Sequence, residues 1–296
     1  QESFPVGKVQ LMTMYPLDME EFLWARGKSL LAETIRKKFQ SRQPLPAVLH
    51  TEALNLYQEY LICGGMPAVV AAEPFRAAEI KQFIYKSYVA DMTKYTGKSE
   101  GVHIAEAYDS LPAQLAKENK KFQYKLIRSG GRAALYGSAI DWLIQSGVVL
   151  KCTKCNEGLM PPAAYEDLSS FTLYFSDTGI FSARTGMTLV SLAASSQFMG
   201  ALTENYVAVA LKTAGYNLNY WASQFQAEVD FVIVREGALV PVECKADVHV
   251  KSKSLATYVK RYEPPYAIRL SARNLGFENQ ILSLPLYAVF CLAAAV

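Results

Sequence analysis

Glu204, Asp230, Glu243 and Lys245 are the residues of this chain whose types and spacing point most directly to chemistry. Glu243 and Lys245 lie in the apolar run Val240-Pro241-Val242-Glu243-Cys244-Lys245. Strand side chains alternate between faces, so Glu243 and Lys245 are expected on one side and Cys244 on the other. Asp230 stands in an earlier apolar run, residues 227–234, and Arg235-Glu236-Gly237 between the runs reads as a tight turn. Hairpin pairing would bring Asp230 beside Glu243 and Lys245. Glu204 comes from upstream, in the amphipathic run 201–213. A helix, a hairpin, three carboxylates and a lysine suit a divalent cation held against a phosphodiester. Mg2+ is a hard ion that takes one or two carboxylates together with water and substrate phosphate. Asp230 and Glu243 would be its ligands, with the Cys244 carbonyl as a third, and Mn2+ would accept the same set. Lys245 would position the attacking water and offset phosphate charge, while Glu204 would reach a metal-bound water or a second metal. The simpler reading is that Lys245 pairs with a carboxylate at a solvated strand end.

Asp230 followed by Glu243-x-Lys245, with Glu204 on a preceding helix, resembles the PD-(D/E)XK nuclease superfamily. Val229 replaces the usual proline before Asp230. Other segments extend the likeness over the whole chain. Tyr15-Pro16-Leu17-Asp18-Met19-Glu20-Glu21-Phe22-Leu23, Gly64-Gly65-Met66-Pro67, Leu111-Pro112-Ala113-Gln114-Leu115 and Phe175-Ser176-Asp177-Thr178-Gly179 occur in that order. Together they resemble the C-terminal half of prokaryotic AAA-type ATPases that carry the domain of unknown function 4143. That resemblance implies a P-loop ATPase core upstream, of which residues 1–15 would be the tail end. ATP would then bind only through that missing module, which becomes an expected partner.

A Walker A loop needs Gly-x4-Gly-Lys-Ser/Thr so that backbone N–H groups and the lysine cradle phosphates. Gly27-Lys28-Ser29 and Gly97-Lys98-Ser99 offer the end of that motif, but Phe22 and Met92 stand where the first glycine is required. A length of 296 residues, 51% of them hydrophobic, is enough for one to three domains with sizeable cores. The net charge of +3 is too mild to prove a nucleic-acid partner. Five cysteines without a framework suggest a reducing, cytoplasmic setting. The lone pair Cys152-x-x-Cys155 reads as part of a hairpin rather than a zinc site, and His50, His103 and His249 are scattered. No leader is visible, and the apolar run 284–296 is too short to span a bilayer, so no membrane association is expected.

The fold class read from these patterns is α/β. An N-terminal helical region and a winged-helix-like segment precede a PD-(D/E)XK, restriction-endonuclease-like α/β domain. The divisions fall at 16–95, 96–165 and 166–296. Helices are expected at 19–24 with Asp18 as N-cap, at 30–40, at 52–63 with Thr51 as cap, and at 79–94. In the middle region short helices, the last at 133–146, lead to a hairpin strand at 147–152. Lys117, Lys120, Lys121, Lys125, Arg128 and Arg132 form a basic run there. Such residues contact phosphates and position DNA or another nucleic acid without reading its sequence. The helix 133–146 offers few base-reading groups, and Asp141 on it would repel phosphate, so a solvated basic face is the competing reading. The last region reads as helix 201–213, strands 217–221, 228–234 and 239–245, helix 252–262 and strand 266–270, the order the superfamily uses. Two functions follow: a Mg2+-dependent nuclease coupled to an ATPase, or a non-catalytic module that binds nucleic acid or protein and regulates that ATPase. Assembly of the ATPase into an oligomer is a third role.

Overall fold

The computed structural model describes residues 12–94, 98–117, 121–223, 227–246 and 253–293. The first elements are helical: α1 (Met19–Ala25), α2 (Ser29–Gln40), α3 (Ala47–Cys63), α4 (Pro67–Val70) and α5 (Pro74–Lys94). Asp18 caps α1 as expected: its side chain accepts from the Glu21 N–H while Glu21 reaches back to the Asp18 N–H. Helix α3 begins earlier than Thr51, directly after Pro46. Proline there fixes a backbone geometry suited to a helix start. Thr51 is therefore inside the helix, and its hydroxyl donates to the Ala47 carbonyl at 3.0 Å. Gly64 ends α3 with φ +75°, the left-handed region that a glycine enters without strain.

Helices α6 (Lys98–Asp109), α7 (Leu111–Leu115) and α8 (Ala133–Gln145) follow, then β1 (Val149–Cys155) and β2 (Glu166–Phe175). Next come α9 (Thr178–Thr185), α10 (Leu189–Ala193), α11 (Ser196–Thr213), β3 (Asn219–Ala222), β4 (Glu228–Arg235) and β5 (Ala238–Cys244). The chain continues through α12 (Lys253–Tyr262), β6 (Ala267–Ser271), β7 (Gly276–Glu278) and β8 (Ile281–Pro285) into the 3-10 helix Leu286–Leu292. The strands form one eight-stranded mixed sheet, in the order β2-β1-β3-β4-β5-β6-β8-β7.

The topology also ties the segment expected to be winged-helix-like to the strands that follow it. The β1–β2 hairpin does not close a separate small domain: β1 pairs in parallel with β3 and so joins the sheet. Burial gives the reason. Most of β1 is buried, so it needs cover on both faces and a partner on its open edge. The order α11-β3-β4-β5-α12-β6 matches the sequence expectation, with β3, β4 and β5 an antiparallel meander and β6 parallel to β5. A parallel neighbour requires a crossover, which α12 supplies.

Two apolar clusters sandwich the sheet. The larger holds Leu202, Tyr206, Phe231, Val240, Val242 and the 3-10 helix. The smaller sits under α12 and holds Trp221, Val229, Val232, Leu255 and Tyr258. Cys152 belongs to the first and Cys155 to the second, so these thiols face opposite ways. Burial pushes the Cys155 thiol up to about 12, far from the thiolate that zinc takes. All five cysteines are free and buried. Among the described residues no helix is long and apolar enough to cross a membrane.

Candidate functional site

A two-residue turn sets the register of the central hairpin. Arg235 pairs with Ala238, and Glu236 and Gly237 take φ of +52° and +78°. Two left-handed residues match the twist of the flanking strands. In that register Phe231 faces Val242, so Asp230 and Glu243 are the next opposed positions. Pairing with β3 slips at this point: Asn219 meets Val232 while Trp221 meets Val229. The slip is a bulge in β4 beside Asp230, a device that re-aims a side chain.

The Asp230 carboxylate accepts the Cys244 N–H at 2.6 Å, and the Lys245 ammonium lies 2.9 Å from Glu243 Oε1. Glu243 is almost fully buried, whereas the Lys245 side chain is 41% exposed and marks the way out. Burial works against the Lys245 ammonium, but the charges of Glu243 and Asp230 outweigh it and raise its pKa above that of an ordinary lysine. Asp230, Glu243 and Lys245 therefore form one cluster, as their spacing implies.

Glu204 is positioned differently. It projects from α11, and the Tyr174 hydroxyl donates to its Oε1. The neighbouring Asn205 clamps α11 to β2 by accepting the Phe175 N–H at 2.8 Å and donating to the Phe175 carbonyl at 3.0 Å. Burial first, and the Glu204 charge next, drive the Tyr174 phenol well above its ordinary value, so it stays a donor. Asp230 also acts electrostatically on Tyr174. Along β5, Glu243 and Lys245 alternate with Val240, Val242 and Cys244, which belong to the α11-side core. Among the described residues no group of three or more His, Cys, Asp or Glu is placed to hold a metal ion. Glu204 is thus not gathered with Asp230 and Glu243 into a three-carboxylate cage. Two adjacent carboxylates still fit Mg2+ or Mn2+ in kind, since Mg2+ commonly takes one or two plus water and substrate phosphate.

The basic run is exposed but partly neutralised. Lys117, Lys121, Lys125, Arg128 and Arg132 are all solvent-facing, and Lys120 lies outside the described residues. Arg128 pairs with Glu106 at 3.4 Å, and Glu106 also accepts from the Tyr136 hydroxyl at 2.5 Å. Ser169 and Ser170, and then the charge of Lys121, hold the Asp167 carboxyl below its usual range. Helix α8 turns Tyr136, Ala139, Ile140 and Leu143 inward, leaving Asp141 and Gln145 among its few exposed polar groups.

Three of the segments that carry the resemblance meet at one place. The Leu17 N–H donates to the Gly65 carbonyl at 2.8 Å, and the Gly65 N–H donates to Asp177 at 2.7 Å. Asp177 also caps α9 through the Ile180 N–H at 2.9 Å. A Cβ on Gly65 would collide with the Leu17 carbonyl, and one on Gly179 with the Cys63 carbonyl. Beside them, buried Lys81 donates to the Ile62 carbonyl at 2.6 Å and to Ser182 at 2.9 Å. The Ser182 hydroxyl in turn lies 2.7 Å from the Ile62 carbonyl and 2.8 Å from the Gly179 carbonyl and donates its one proton between them, so this lysine–serine contact is a tie between helices. Sequence reasoning did not find Tyr174, Asn205, Lys81 or the role of Asp177. The segment 175–179 was the available signal, because it carries the acid that knits the N-terminal helices to the sheet.

Comparison with known families agrees with part of the resemblance. Residues 199–288 match the family described as Domain of unknown function (DUF4143). Residues 54–191 match a second, Domain of unknown function (DUF8612). The first match starts within α11 and takes in Glu204, Asp230, Glu243 and Lys245. The second runs across the divisions expected at 95/96 and 165/166 and ends before α11. No curated protein and no solved structure matches the chain.

Proposed function

We propose that the α11–β6 unit is a PD-(D/E)XK-type nuclease module that hydrolyses nucleic-acid phosphodiesters with Mg2+ or Mn2+. It would serve as the C-terminal part of an AAA-type ATPase whose own module binds ATP. One observation carries the reading: Asp230 accepts the Cys244 N–H at 2.6 Å, between Glu243 and Lys245, and the Lys245 ammonium lies 2.9 Å from Glu243. The strand and helix order around them supports it. So does the match to domain of unknown function 4143, together with the ordered segments that resemble ATPases carrying it.

Asp230 and Glu243 would hold the metal, which supplies a Lewis acid for the phosphoryl oxygen and a more acidic bound water. Cys244 N–H fixes the Asp230 carboxylate. Lys245, cationic and half in solvent, offsets charge on an approaching phosphate and orients water. Tyr174 holds Glu204 on the neighbouring helix. The test is nicking of supercoiled DNA and of single-stranded DNA and RNA with Mn2+, comparing the chain with Lys245→Ala. Cleavage that needs both metal and Lys245 supports the reading. Metal-independent cleavage, or cleavage that survives Lys245→Ala, contradicts it.

A second reading has its own support. Lys245 already neutralises Glu243, and Asp230 is engaged by the backbone. These facts favour a module that binds nucleic acid or a protein through this fold without cutting. Absence of cleavage, together with metal-independent gel shifts that weaken on Lys121→Glu, would select it.

A further inference from the structure

Away from the carboxylates, a cavity of about 790 Å³ opens between the entering segment 13–16, the end of α8, the start of β1 and the end of α11. Its size lies within the range of small-molecule sites, roughly 300–1,000 Å³. Tyr15, Tyr88, Ile144 and Leu218 supply much of an apolar lining, and Lys151 and Lys212 add two cations. No Asp or Glu lines it among the described residues. The Lys212 side chain makes no hydrogen bond or ion pair among the described residues, and the Lys151 ammonium lies over the Phe171 ring, 4.9 Å from its centroid.

The electrostatic balance decides what the cavity prefers. The carboxyl ends of α8 and α11 point here, and each carries roughly −0.5 elementary charge. Two full ammonium charges exceed that sum, so the site keeps a net positive character. A neutral apolar ligand would bury area but leave the charge of the two lysines unanswered. An anion on an apolar body uses both features.

We propose that this cavity binds a small organic anion, one flat or chain-like apolar body carrying a sulfonate, phosphate or carboxylate head beside Lys151 and Lys212. The site is separate from the carboxylate cluster and does not depend on nuclease activity.

The test uses 8-anilinonaphthalene-1-sulfonate and its uncharged analogue N-phenyl-1-naphthylamine, titrated into the native chain and followed by fluorescence. The sulfonate is expected to saturate at one equivalent and to bind about tenfold tighter than the neutral dye, the scale of one charge-assisted contact. Changing Lys151→Gln and Lys212→Gln together is expected to weaken the sulfonate about tenfold and leave the neutral dye unchanged. Equal affinity for the two dyes on the native chain overturns the proposal without any variant. Undiminished sulfonate binding by a double variant that melts like the parent overturns it as well. If the double variant melts early, the two-dye comparison and the loss of sulfonate affinity with added salt decide the matter on the unaltered protein.

Discussion

Replacing Asp177 by alanine should destabilise the whole chain, because one buried carboxylate ties the Gly65 turn to the start of α9. Its Oδ2 takes the Gly65 N–H at 2.7 Å and its Oδ1 takes the Ile180 N–H at 2.9 Å. Burial pushes this carboxyl up, while the N–H groups of Gly65, Ile180 and Gly179 and the Lys81 charge pull it down. Losing the cap on α9 costs about 1 kcal/mol. Leaving the buried Gly65 N–H without an acceptor costs about 1–3 kcal/mol more. Lys81 then keeps its buried charge with its acidic neighbour gone, so the total should reach about 3–5 kcal/mol. With a urea m-value near 3 kcal/mol/M for a chain of this size, the midpoint should fall by about 1 M. Trp24, Trp142 and Trp221 report the transition by fluorescence. Asp177→Asn should recover part of the loss, since an amide has one acceptor oxygen where the carboxylate uses two. A midpoint shift under about 0.3 M for the alanine variant would refute the idea that Asp177 knits the fold.

Gly65→Ala should be as damaging by a different route, at about 3 kcal/mol or more, because the methyl meets a backbone carbonyl that cannot step aside; a melting temperature within a degree or two of the parent would contradict this. Tyr174→Phe removes the hydroxyl that holds Glu204, and should cost about 1–3 kcal/mol in urea unfolding. Its effect should largely vanish in a Glu204→Leu background, which has no acceptor, and full additivity of the two changes would argue against the contact. Lys245 gives a pH test. Its folded pKa is raised, so its contribution is fully present below the unfolded value and is lost as pH rises through the folded one. The stability gap between the chain and Lys245→Met should hold steady below about pH 10 and shrink above it. A gap that widens in alkali would show the shift to have the opposite sign.

Much of the local structure was legible because it follows from short-range rules. Asp18 and Glu21 announce a capping box, Gly64 ends α3, and Arg235-Glu236-Gly237 makes the hairpin turn. The alternation in Val240 to Lys245 put Glu243 and Lys245 side by side. What the sequence hid depends on distant partners. Nothing local in Val149–Cys155 says that its open edge takes β3, so the hairpin looked like the wing of a separate domain. Thr51 looked like a cap because threonine caps helices, but Pro46 upstream sets the start. Glu204 could be assigned to the helix facing the strands, yet its tie to Tyr174 spans 30 positions of chain. The slip at Asp230 is equally invisible, since it arises from how β4 meets β3.

The central claim is that Asp230 and Glu243 form a working divalent-metal site. Titration calorimetry with Mn2+ tests it most directly, with and without a short non-cleavable DNA duplex, on the chain and on the Asp230→Ala, Glu243→Ala double variant. The account predicts saturable binding to the parent, strengthened by DNA because substrate phosphate completes the metal's ligands, and lost in a double variant that remains folded. Absence of binding in both conditions, or equal binding by the double variant, would contradict it and leave a nucleic-acid or protein-binding module on the same fold.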